Sequence, residues 1–183
     1  LERLDGTRSA LVADMDAIEL LKQQHRLVES LFEQLDEAED GDEKVELVQE
    51  LADNLAAHTT IEERIFYPTA YGKETKDLLE EAVEEHLAAK RILADLLKMD
   101  AKDQNFDAKI KVLKEQIEHH VEEEEGELFP KVRSKLEAGL LESMGTQMEE
   151  LFEQEMDQQP SADIPGETDR AAPLKPKRGR PQA

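Results

Sequence analysis

Between Asp16 and Met156 the apolar residues recur at three- and four-residue steps, the spacing that lines one face of an α-helix. Ile18, Leu21, Val28, Leu31, Phe32 and Leu35 predict a first helix over about 16–39, ended by the turn Asp40-Gly41-Asp42. Leu47, Leu51, Leu55, Ile61 and Ile65 predict a second over about 42–68, broken at Tyr71-Gly72-Lys73. Leu79, Val83, Leu93, Leu96 and Leu97 predict a third over about 74–99, followed by a polar loop at 100–105. Ile110, Leu113, Ile117 and Leu128 predict a fourth from Phe106 into the region of Pro130. A proline there is expected to kink or end the helix, because it lacks an N–H and crowds the preceding turn. A further stripe, Leu140, Leu141, Met144, Met148, Leu151 and Phe152, predicts a fifth helix on the outside of the other four or at a dimer contact.

Four long helices joined by short loops make an all-α, up-down-up-down four-helix bundle over residues 15–136, with an accessory helix at 137–157. Residues 1–14 lack the pattern and are expected to be a non-native or disordered extension. Beyond Gln158 the chain is rich in proline and polar residues, and 158–183 is expected to be a disordered basic tail.

The apolar stripes are interrupted by polar residues in a repeating way. His25, His58, His86 and His120 each fall within one of the four stripes, and His58 and His120 open HxxxE pairs with Glu62 and Glu124. His25 and His86 are separated by 61 residues, His58 and His120 by 62, and Glu62 and Glu124 by 62. Each pair is followed at the same distance by an aromatic-Pro step, Tyr67-Pro68 and Phe129-Pro130. One isolated histidine on an apolar face is ordinarily a hydrogen-bonded core residue. Four in register with two carboxylates are different, since a buried carboxylate without a cation costs several kcal/mol. An HxxxE pair puts both groups on one helix face, one turn apart, and a mixed imidazole–carboxylate set suits a two-metal site, with iron preferred and manganese or zinc as alternatives. His119 points about 100° away from His120 and is taken as flanking the site, with Glu29 and Tyr67 as further neighbours. Glu63 and Glu125 are read as solvated surface carboxylates.

Composition narrows the chemistry. The 183 residues contain no cysteine, so no disulfide or thiolate contributes. A net charge of −22 makes most of the surface a poor ligand for nucleic acid or anionic membrane. No apolar run reaches the ~18–20 residues of a membrane span, and with no secretory signal evident the expected location is the cytoplasm.

The motif stretches LLKQQHRLVESLF, HTTIEERIFYP, EEHLAAKRIL and EHHVEEEEGELFP resemble the hemerythrin-like HHE cation-binding family over about 15–136. The resemblance implies His25, His58, His86 and His120 as terminal ligands of two non-haem iron ions with an oxo or hydroxo bridge, and Glu62 and Glu124 as bridging carboxylates. It implies binding of, or reaction with, oxygen, peroxide or nitric oxide in a stress response, including peroxidase- or catalase-like activity. The alternative is a non-catalytic iron or oxygen sensor. No residue is assigned as catalytic. The invertebrate oxygen carriers of the wider family have a second histidine four positions after the one on the third helix; Lys90 stands there in this chain, which argues against oxygen storage.

A second motif lies in the tail. Lys177, Arg178, Gly179, Arg180 and Pro181 resemble an AT-hook, whose glycine lets the backbone lie deep in a narrow minor groove while the arginines extend along it. Residues 170–183 hold five basic residues and no acidic one. The tail is read either as a disordered solubilising terminus or as a weak binder of AT-rich DNA, in a chain that is a monomer or homodimer.

Overall fold

The computed structural model describes residues 15–174, and these are helical with no strand among them. Helix α1 spans Ala17–Glu37, α2 Gly41–Ile61, α3 Lys76–Leu96, α4 Phe106–Glu123 and α5 Ala138–Met156. Two aspartates start the first pair: Asp16 accepts from the Ile18 and Glu19 amides, and Asp40 from those of Asp42 and Glu43. Consecutive helices joined by short connections pack as antiparallel neighbours, α1 on α2 and α3 on α4.

Neither proline ends its helix. In α2 the chain passes into a π-helical turn, Glu62–Phe66, and continues as a short α-helical segment, Tyr67–Ala70. In α4 it passes through the π-turn Glu124–Leu128 into Phe129–Arg133. The Tyr67 and Phe129 amides each donate five residues back, to the Glu62 and Glu124 carbonyls. The wider turn relieves the clash that a proline makes with the carbonyl four residues before it, so the expected break becomes a local expansion.

The core is divided in two. Val28, Leu31, Leu51, Leu55, Leu93 and Leu113 belong to one apolar cluster. Ile18, Leu21, Ile61, Leu79, Leu128 and Met144 belong to the other. Each site histidine stands between them along its helix: His25 between Leu21 and Val28, His58 between Leu55 and Ile61. The polar residues thus form a thin layer between two apolar ones.

Helix α5 packs on α1, α2 and the first π-turn, with Leu141, Met144 and Met148 buried. Its approach depends on Gly145, where a Cβ would collide with the Met15 carbonyl oxygen and crowd the Asp16 backbone. The expectation of disorder from residue 158 is corrected for the described part of the tail. Pro160–Glu167 is a 3-10 helix packed on α2 and α3, with Pro160, Ser161 and Ile164 buried, and Ala171, Ala172 and Leu174 lie against the second cluster. A segment with too few apolar residues for its own core can still dock on one. Residues 1–14 and the AT-hook-like motif lie outside the described residues.

Gly145→Ala is expected to destabilise the fold by about 1–3 kcal/mol through overpacking. Gly139→Ala, where a Cβ meets nothing within 4 Å, is expected to be neutral or slightly stabilising. Thermal melts of the two variants compare them directly.

Candidate metal centre

The two halves of the bundle bring all six of the expected residues to one place. His25, His58, Glu62 and Glu124 present ligand atoms within 4.8 Å of one another, and so do Glu62, His86 and His120. All six are buried. Glu62 belongs to both groups: one carboxylate oxygen is 3.3 Å from His58 Nε2 and the other 3.2 Å from His86 Nε2. Glu124 Oε2 lies 3.3 Å from His25 Nε2 and 3.6 Å from His120 Nε2. The two carboxylates therefore span the halves.

Each imidazole is oriented from behind. The Nδ1–H of His25 donates to Glu125 at 2.9 Å, that of His58 to the Gln24 amide oxygen at 2.7 Å, that of His86 to Glu63 at 2.9 Å and that of His120 to Glu85 at 2.8 Å. With Nδ1 as the donor, every Nε2 faces inward and presents a lone pair there in the neutral imidazole. These partners follow the same repeat as the ligands. Gln24 and Glu85 precede His25 and His86 by one residue, and Glu63 and Glu125 follow Glu62 and Glu124 by one. The reading of Glu63 and Glu125 as solvated surface is thereby corrected. The signal was available in the offset, which extends one residue to either side of the motif. Cations in turn hold the two carboxylates: Arg26 pairs with Glu125, and Lys90 with Glu63 at 3.2 Å.

The aromatic-Pro repeat also has a place. Phe129 stacks on His25 with ring centroids 5.9 Å apart, and Tyr67 on His86 at 5.5 Å. The symmetry breaks at the phenol, which donates to Glu124 Oε1 at 2.9 Å and lies 3.2 Å from His86 Nε2. Tyr67 thus reaches the centre. Glu29 does not, since it pairs with Arg26 on the surface. His119 is 60 % exposed and faces Glu123 and Glu85 at 3.5 and 3.8 Å.

The residues fit a bound cation on two grounds. Among the described residues, His25 Nε2, both Glu62 carboxylate oxygens and Glu124 Oε2 are buried without a hydrogen-bond partner, an arrangement that is costly unless a cation satisfies it. The inward Nε2 atoms of His86 and His120 stand 3.3 Å apart, roughly the separation of two nitrogens bound at ~2.0–2.1 Å to one ion. The field favours positive charge. Burial opposes protonation of His86, but the carboxylates of Glu62 and Glu63 beside it outweigh that and raise its pKa to about 9. Burial likewise opposes charge on Glu62, yet His58 and His86 hold its carboxyl well below the usual range. His58 is lowered by its own burial. Burial and the negative charge of Glu124 and Glu62 keep the Tyr67 phenol protonated, far above its ordinary pKa.

A helical bundle with a buried histidine–glutamate box is a metal-binding architecture. The hemerythrin HHE cation-binding domain model matches residues 16–132, and the chain belongs to that family. The chain is 27 % identical, with a TM-score of 0.70, to the crystal structure of a hemerythrin HHE cation-binding-domain protein from Mycobacterium kansasii, covering 79 % of this chain and 89 % of that one. It is 29 % identical over 109 residues to a hemerythrin-like protein of Schizosaccharomyces pombe, covering 58 % of this chain and 54 % of that protein. It is also 27 % identical over 138 residues to a protein of Nostoc named DNA nickase, covering 73 % of this chain and 38 % of the relative. The chain thus spans about half, or less, of these two curated relatives. No helix among the described residues is long and apolar enough to cross a membrane.

Gln24→Leu removes the acceptor that fixes His58. It is expected to weaken metal affinity by about 10–100-fold with little change in fold, measured by competition against a chromophoric chelator.

Proposed function

We propose that this protein holds two non-haem iron ions in the box and uses them to bind or react with oxygen species. The observation that carries this reading is the set of buried, unpartnered ligand atoms on His25, Glu62 and Glu124, within two groups that share Glu62. His25 and His58 would serve one ion, His86 and His120 the other, and Glu62 and Glu124 would span the pair. When bound, such a pair supplies redox chemistry towards oxygen, peroxide or nitric oxide. The protein's part is positioning. Gln24, Glu63, Glu85 and Glu125 fix the imidazoles, Tyr67 donates a hydrogen bond into the centre, and the apolar layers on either side limit water. Lys90, held by Glu63 and Glu167 at 3.2 and 2.9 Å, occupies the position of the oxygen carriers' additional histidine, which supports reactive chemistry or sensing over storage.

Protein produced in iron-rich medium is expected to contain about two metal ions per chain and to absorb in the near-ultraviolet by ligand-to-metal charge transfer. Glu62→Ala should lose most of the bound metal, since it removes one of the two carboxylates that span the halves and the one shared by both ligand groups. A single zinc with no such absorption overturns the reading.

A second reading concerns the tail. The Lys177–Pro181 motif and the resemblance to a protein named DNA nickase support a weak tether to AT-rich DNA, on an otherwise acidic chain. Retention on AT-rich duplex should fall steeply with salt and vanish on deletion of residues 178–181. Equal retention without them rules the tether out.

A further inference from the structure

The segment after α5 lies outside the stretch that the family model matches, yet it reaches the metal centre. Gln159 turns the chain through the left-handed region, at φ 53°, and Pro160–Glu167 then lies against both α2 and α3. Its one large apolar side chain, Ile164, is 1 % exposed. Ile164 is part of the wall of a cavity of about 30 Å³ whose lining also includes Leu55, Leu93 and Ile117, polar Lys90 and Gln116, and all four site histidines. That space suits a guest of about one or two heavy atoms.

Pro160 and Ser161 are buried along with Ile164, and the remaining ties of the segment are polar. Lys90 pairs with Glu167 at 2.9 Å, Arg91 donates to the Thr168 carbonyl at 3.0 Å, and the Ser161 amide donates to Asp53 at 3.1 Å. One apolar plug with a few surface hydrogen bonds and an ion pair makes a unit that can open locally without unfolding the bundle. Lys90 ties that unit to the site, because the same ammonium holds Glu63, which orients His86.

We propose that residues 160–168 are the door of this site: Ile164 closes the cavity beside the histidines, the Lys90–Glu167 pair latches it, and ligands larger than a diatomic molecule enter only when the segment lifts. This rests on the reading that the centre binds small external ligands. It assigns the selection of those ligands by size to a part of the chain outside the bundle.

Two measurements on the full chain test it, one with metal and one without. In the iron-loaded protein, the rate of azide binding followed by stopped-flow absorbance should level off at high azide, limited by opening. Ile164→Ala and Glu167→Gln should each raise that limit about ten-fold, as expected for a weakened local closure. In the metal-free protein, diethyl pyrocarbonate should modify His58 and His86 slowly, with exposed His119 as the internal reference. The same two variants should speed the buried sites about ten-fold and leave His119 unchanged. Rates at the buried histidines equal in wild type and both variants overturn the door. A modification rate that responds, in a protein that takes up no iron or whose spectrum azide leaves unchanged, supports the door and counts against the metal reading alone.

Discussion

Everything in this bundle is arranged around two carboxylates in its interior. Glu62 and Glu124 are almost wholly buried, and placing a carboxylate there without compensation costs several kcal/mol, a large part of what a domain of this size has to lose. Four imidazoles face them, Nε2 atoms 3.2–3.6 Å away, and each imidazole needs its own second nitrogen satisfied. That requirement brings Gln24, Glu63, Glu85 and Glu125 into place, and it brings Arg26 and Lys90 in behind the carboxylates. Charge alternates outward from the centre, so the cost of burial is spread across the half-buried rim of the bundle. The apolar clusters on either side hold the layer together but do not determine its order.

The π-turns show how local sequence serves this arrangement. Both begin at the buried glutamate and end just before the aromatic-Pro step. A regular α-helix through Pro68 or Pro130 would set the ring against the preceding turn. One widened turn removes that conflict and carries the aromatic ring round to stack on the histidine of the other half, Tyr67 on His86 and Phe129 on His25. The proline, the glutamate and the ring therefore act as one unit, repeated 62 residues apart. The repeat is exact in spacing but not in chemistry. Only Tyr67 has a hydroxyl, and it satisfies one oxygen of Glu124, whereas both oxygens of Glu62 are left facing the box.

Periodicity made the helices and the six inward residues legible, because a stripe at helical spacing reports which face is buried and the offset reports the symmetry. The stripe alone could not distinguish a bracing glutamate from a solvated one; only the offset, carried one residue beyond the motif, held that signal. Glu63 and Glu125 sit at the edge of the buried face, and their role depends on a histidine from another helix. The same limit hid the docked tail. Ile164 is one apolar residue in a proline-rich stretch with no period to read, and its burial is created by the groove between α2 and α3. The π-turns ahead of Pro68 and Pro130 were hidden for a different reason: the expectation that a proline kinks or ends a helix assumes α-helical pitch, and here the pitch changes.

Lys90 connects the centre to the C-terminal segment. In the third helix it takes the position where a further imidazole would sit in an oxygen carrier, but its ammonium is turned to Glu63 and Glu167. A lysine so paired is a cation and has no lone pair to offer a metal. Its effect on the centre is indirect. It fixes the charge of Glu63, and Glu63 accepts the Nδ1 proton of His86. On the proposed reading, exchange of a ligand for a charge at this one position would leave that half of the box with fewer protein donors, and so with room for an external ligand. It also gives the C-terminal segment an anchor, because the second carboxylate on the ammonium belongs to that segment. The proposed open position at the centre and the proposed cover beside it would thus depend on a single side chain. A site that must both admit a small molecule and exclude bulk water needs the two together.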